Sequence, residues 1–153
     1  MSPSDSSECV TILHVEDNPA DVYLIKRGLR GSAVSLDIVN LVDGEETMEY
    51  LCRCASGELP LPDMVLLDIN LPKVNGHDLL VWMRSVQVLQ SIPVFMLTSS
   101  SSRQDREKMF RNGGQAFFTK PYTLEERSTI VRSIENFLSG LPLDQTAIQN
   151  ANA

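Results

Sequence analysis

Residues Met64-Val65-Leu66-Leu67 run without a polar break into Asp68, and Pro72 follows four residues later. A short apolar run bounded by turn signals reads as a strand buried on both faces, as in a parallel sheet. Such a sheet needs helices above and below it, so this one run constrains what surrounds it. Asp68 then stands at the carboxyl end of the strand, the edge where open α/β sheets bind ligands. Taken alone, Asp68 reads equally well as a helix cap or a turn residue.

The flanking sequence supplies the remaining strands and the helices. The β-branched run Val10–Val15 predicts a first strand, Leu36–Leu41 a second, Ile92–Leu97 a fourth and Ala116–Thr119 a fifth. A helix is expected from near Pro19 to near Gly31, capped by Asn18 or Asp17, with Val22, Leu24, Ile25 and Leu29 as its apolar stripe. Further helices are expected over 45–56 (Met48, Leu51, Cys52 and Ala55 on one face), after Asn75-Gly76 (Leu79, Leu80, Trp82, Met83), from Arg103 to Arg111, and over 123–138. Five strands alternating with five helices predict an α/β fold, a five-stranded parallel sheet with helices on both faces and right-handed crossovers. With 153 residues and no repeat or Gly-Ser linker, the chain reads as one domain over 10–138. Residues 1–9 are expected to be a flexible N-terminus, and 139–153 a tail that is polar apart from Leu141, Leu143 and Ile148.

Composition excludes several classes of function. A net charge of −7 argues against nucleic-acid binding. Cys9, Cys52 and Cys54 are odd in number, and the one-residue spacing of the last two suits neither a disulfide framework nor zinc. They read as reduced thiols packing as small hydrophobes. The start of the chain lacks the basic and apolar regions of a signal peptide, and no apolar run reaches membrane-spanning length. The expectation is a cytoplasmic protein with no membrane partner.

In a parallel sheet, the residues just after each strand gather at one edge. Here those are Glu16 and Asp17 after the first strand, Asp68 with Asn70 behind it after the third, Thr98 after the fourth and Lys120 after the fifth. Three carboxylates at one edge repel one another and call for a cation. Oxygen ligands with surplus charge suit Mg²⁺. Lys120 is a point charge for a phosphate oxygen, and Thr98 a hydroxyl donor. A carboxylate can act as nucleophile toward phosphorus. The set therefore fits phosphoryl transfer to Asp68, with Glu16 and Asp17 holding metal and Thr98 and Lys120 countering charge. Each residue also has a plain explanation: acids at a helix start, a cap in a serine run, a solvated lysine before proline. Their convergence on one edge is what argues against all of these together.

These motifs resemble the receiver domain of two-component response regulators. The matching features are Glu16-Asp17, Asp68-Ile69-Asn70-Leu71-Pro72 with Asn75-Gly76, Leu97-Thr98-Ser99 and Lys120-Pro121, together with the spacings from Asp68 to Thr98 and on to Lys120. The resemblance implies a flavodoxin-like doubly wound sheet of strand order 2-1-3-4-5. It implies that Asp68 accepts phosphate from a sensor histidine kinase and that Asp17 and Asp68 ligate Mg²⁺ through carboxylates. Asn70 would ligate through its backbone carbonyl, and Glu16 partly through water. Thr98 and Phe117 fall at the family's switch positions, with Phe117 turning into the space that Thr98 vacates, and the Lys120-Pro121 bond is usually cis there. The segment Gly57–Pro62, the Ile-Pro-Val strand start and the lack of an output domain resemble regulators paired with bacterial and cyanobacterial phytochromes. Arg127 departs from that subfamily, where an apolar residue is expected.

Such a chain is a phosphoacceptor rather than an enzyme, with at most weak self-dephosphorylation. The competing readings are a haloacid-dehalogenase-type phosphatase and a degenerate receiver serving only as a binding module. The phosphatase needs a second Asp two residues after the nucleophile, where this chain has Asn70. The apolar residues Ile130, Val131, Ile134, Phe137 and Leu138 outnumber what one packed face requires. They predict a homodimer through helix 103–112, strand 116–119 and helix 123–138, with Leu141, Leu143 and Ile148 reaching onto the partner.

Overall fold

The computed structural model describes residues 9–32 and 34–143. Five parallel strands form one sheet in the order β2-β1-β3-β4-β5: β1 Val10–Val15, β2 Leu36–Leu41, β3 Met64–Leu67, β4 Val94–Thr98 and β5 Ala116–Thr119. The helices are α1 Pro19–Leu29, α2 Gly44–Ala55, α3 Gly76–Ser85, α4 Arg103–Arg111 and α5 Leu124–Leu138, and a short 3₁₀ turn, Gln87–Leu89, follows α3. The doubly wound architecture and strand order expected from the sequence are thus observed. The fourth strand starts two residues later than expected, because Ile92-Pro93 precedes the ladder and proline has no N–H to give it.

Alternation along each strand divides the core in two. Leu13, Val15, Val65, Leu67, Met96 and Phe117 pack with Leu51 of α2, Leu79, Leu80 and Met83 of α3, and Met109 of α4. Ile12, Met64, Leu66, Phe95, Leu97 and Phe118 pack with Ile25 and Leu29 of α1 and Ile130, Val131 and Ile134 of α5. All four residues of β3 are buried, so both faces of the central strand are covered, and burying each such side chain stabilises by about 1.5–3 kcal/mol.

The helix starts follow local chemistry. Asn18 caps α1 through the N–H of Ala20, with Pro19 in the first turn. Asn75 and Ser102 cap α3 and α4, and Thr123 and Glu126 form a reciprocal capping box at α5.

Several expected details are corrected. Leu24 of α1 is exposed, since the buried pair is Ile25 and Leu29, four apart on one face. The buried stripe of α2 is Thr47, Leu51 and Cys54, one helical turn apart in sequence, which leaves Cys52 outside. The surplus of apolar residues on α5 is not a surface. Ile130, Val131 and Ile134 are buried, and Phe137 and Leu138 pack against the same core, Phe137 edge-on to Phe95 at 5.1 Å. The dimer argument from exposed apolar residues on helix 123–138 therefore loses its basis, because the chain's own sheet uses them. Leu143 packs on that core as well, whereas Leu141 is exposed. Ile148 and the N-terminal segment before Cys9 lie outside the described residues. The Lys120-Pro121 bond is trans, not cis; trans is the favoured isomer of X-Pro bonds by about 0.5–1 kcal/mol. Among the described residues no helix is long and apolar enough to cross a membrane.

Candidate functional site

The parallel register brings the expected residues to one edge. Val15 of β1 is level with Leu67 of β3, so the residues after them, Glu16 and Asp68, emerge side by side. Thr98 closes β4 opposite Thr119 of β5, and its carbonyl accepts the N–H of Lys120 at 2.8 Å. The loop after Asp68 is pulled tight by Gly76, whose N–H donates to the Ile69 carbonyl at 2.8 Å. A Cβ at Gly76 would collide with the Asp68 carbonyl oxygen, which is why the Asn75-Gly76 turn needs glycine there.

Lys120 is the electrostatic centre. Its Nζ donates to Asp68 Oδ2 at 3.1 Å and to Asp21 Oδ2 at 2.8 Å, and lies 2.8 Å from Glu16 Oε1 as an ion contact. Burial pulls its pKa down, but the three carboxylates outweigh this and hold it above the ordinary lysine range. Carboxylate oxygens of Glu16, Asp17 and Asp68 all lie within 4.8 Å of one another. Glu16 and Asp68 are buried and Asp17 is exposed. Burial, joined by the Asp68 charge, raises the Glu16 pKa to about 7 against the pull of Lys120 and of the Asn18 N–H.

Three clustered carboxylates with one of them lifted toward neutrality fit a hard divalent cation bound through oxygen. Asp17 and Asp68 would hold it directly. Glu16, engaged by Lys120 and by the Asn18 N–H at 3.1 Å, suits an indirect role. Asn70 lies in the loop behind Asp68 and donates its N–H to Asp68 Oδ1 at 3.3 Å.

Thr98 is fully buried in the strand, one residue deeper than its expected place just after it. Phe117 is 1% exposed, packed in the core beside Met96. The expected inward turn of this aromatic therefore has no exposed starting position here, because β5 buries it from the outset. Two residues at the site went unnoticed in the sequence. Asp21, in the first turn of α1, was legible only as a helix-start acid, yet it reaches Lys120 across 99 positions. His14 of β1 is buried with its Nδ1 unpartnered, and burial followed by Lys120 lowers its pKa to about 4. A lone histidine in a β-branched strand carried no signal of this.

A parallel 2-1-3-4-5 sheet with a carboxylate cluster and a half-buried lysine at its carboxyl edge defines a doubly wound α/β domain with an acidic site suited to a divalent cation. Residues 12–132 match the family model described as the response regulator receiver domain, and the chain belongs to that family. Among its relatives is the probable methanogenesis regulatory protein FilR2 of Methanothrix harundinacea, 36% identical over 84% of this chain and 83% of that protein. Response regulator Rcp1 of Synechocystis sp. is 32% identical over 87% of this chain and 91% of its own length. The crystal structure of the Mn²⁺-bound form of Rcp1 aligns with a TM-score of 0.78 at 31% identity, covering 88% of this chain and 99% of that one. The phosphorylated cyanobacterial phytochrome response regulator RcpA aligns with a TM-score of 0.79 at 36% identity, covering 88% and 97%.

Proposed function

We propose that this chain takes a phosphoryl group on Asp68 from a phosphohistidine of a sensor kinase and passes the signal on by protein contact in the cytoplasm. The observation that carries the reading is Lys120 Nζ at 3.1 Å from Asp68 Oδ2, with Glu16 and Asp17 clustered beside it. An Asp68 oxygen forms the new P–O bond as the P–N bond to the donor imidazole breaks, and the departing imidazole takes a proton. Lys120 follows the charge onto a phosphoryl oxygen, and the Thr98 hydroxyl donates to another. A divalent cation, Mg²⁺ in this reading, supplies charge neutralisation for the phosphoryl oxygens. Asp17 and Asp68 would hold it through their carboxylates, and Asn70 through its backbone carbonyl.

Asn70 stands where a phosphatase would need its proton donor, so the acyl phosphate is expected to persist with only weak self-dephosphorylation. Similarity to RcpA, a cyanobacterial phytochrome response regulator, supports a phytochrome-type kinase as donor. Self-association through α4, β5 and α5 would have to use mainly polar surface, and sedimentation at high concentration tests it; a persistent monomer removes it.

The test of the whole reading is incubation with acetyl phosphate and Mg²⁺ followed by intact mass. One phosphoryl group lost on Asp68→Asn is expected. Sustained turnover of a generic phosphomonoester would favour the phosphatase instead.

A further inference from the structure

A second polar cluster, built on a buried histidine, lies beside the site and joins three segments. His77, in the first turn of α3, is 3% exposed and places Nε2 3.0 Å from Asp105 Oδ1 in the first turn of α4. A carboxylate only accepts, so Nε2 carries the proton. Asp105 Oδ2 accepts the Ser100 hydroxyl at 2.6 Å, a short charge-assisted bond. Ser100 Oγ also accepts the Ser102 N–H at 3.2 Å, and the Ser100 N–H donates weakly to Thr98 Oγ1 at 3.4 Å. The Ser100 bond, ahead of the His77 contact, holds the Asp105 carboxyl below its usual range.

We infer that His77, Asp105 and Ser100 form a latch that holds the loop after Thr98 in its unphosphorylated arrangement, making them positioning residues for the switch hydroxyl. The inference rests on the reading of Asp68 as phosphoacceptor and of Thr98 as the hydroxyl that turns toward the phosphoryl group. When Thr98 turns, the Ser100 N–H loses its acceptor. Ser100 can follow Thr98 only by giving up the 2.6 Å bond to Asp105. Asp105 is in turn tied to His77, whose neighbour Gly76 is seated on the backbone of Asp68. The latch thus connects the loop behind the phosphoacceptor to the loop behind the switch without passing through the phosphoryl group. α4 does not need the latch for its cap, because Ser102 Oγ already accepts the Asp105 N–H.

A contact made in one state only shifts the balance of states by its own worth. Losing this half-buried hydrogen bond should therefore favour the switched arrangement roughly three- to tenfold. The measurement is the affinity of the full chain, loaded with Mg²⁺, for beryllofluoride, a phosphoryl mimic. Ser100→Ala and His77→Leu are expected to bind it roughly three- to tenfold more tightly than the parent. His77→Gln, which can still donate to Asp105, should stay near the parent value. Unchanged or weaker binding in Ser100→Ala overturns the latch while leaving Asp68 as the acceptor. A parent chain that binds no beryllofluoride overturns the reading of Asp68 and the latch with it. Ser100 is only half-buried, so its variant still decides the matter if His77→Leu does not fold.

Discussion

Around Lys120, four carboxylates crowd one ammonium: Glu16, Asp21 and Asp68 in contact, and Asp17 beside them. Around Asp105, one carboxylate meets one imidazole and one hydroxyl. Both clusters are partly buried and both bridge separate elements, yet only the first carries surplus charge. That surplus raises Glu16 toward neutrality and gives a cation or a transferring phosphoryl group something to relieve. In the second cluster both oxygens of the carboxylate have partners, although His77 Nδ1 has none, and its value is geometric. A charged cluster left incomplete suits chemistry, whereas a nearly satisfied one suits holding a loop in place.

The sharpest break between the two is expected from Asp68→Asn. It should abolish labelling by acetyl phosphate with the fold intact, whereas Asp105→Asn should still label. Retained labelling of Asp68→Asn, read by intact mass, would remove Asp68 from the role.

Lys120→Met should follow in size. It strips the acidic cluster of the one cation in contact with it among the described residues, and uncompensated buried charge costs about 3–5 kcal/mol. In urea unfolding without divalent ions the variant should be destabilised by an amount of that order, and millimolar Mg²⁺ should recover part of it. A loss that Mg²⁺ does not touch would mean that the carboxylates do not form a metal site.

The pH dependence tests the first cluster alone. Glu16 has a folded pKa raised from 4.5 to about 7. The folded chain holds a proton that the unfolded chain releases, so this contribution is complete below about 4.5 and is lost as pH rises to about 7. His14 is lowered from 6.5 to about 4, so its contribution is present above 6.5 and is lost as pH falls to about 4. The two slopes oppose and nearly cancel between about 4.5 and 6.5, so metal-free stability should be flat there and fall off only outside that range. Glu16→Gln should flatten the upper limb and His14→Leu the lower one, as followed by thermal unfolding across pH. Identical profiles in both variants and the parent would contradict the assignment.

The smallest effect belongs to the second cluster. Ser100→Ala removes one bond, with a stability loss of about 0.5–1.5 kcal/mol that is the same with and without Mg²⁺. A loss that depends on Mg²⁺ would show the two clusters to be one.

Local chemistry was enough to read the strands, the helix starts and the gathering of Glu16, Asp17, Asp68, Thr98 and Lys120 at one edge. An apolar run, an Asn before a proline and a parallel alternation act over a few residues and point the same way. What only the tertiary structure decided involves residues far apart in sequence. Asp21 resembles any first-turn acid until β5 brings Lys120 to it, and His14 resembles any strand residue until α1 and α5 close over its face. The apolar surplus of α5 pointed to a partner, and the chain's own sheet absorbed it. His77, Asp105 and Ser100 lie on separate segments with no motif among them. Their meeting depends on how α3 and α4 pack at the carboxyl edge, and periodicity along the chain does not encode the distance between two helices.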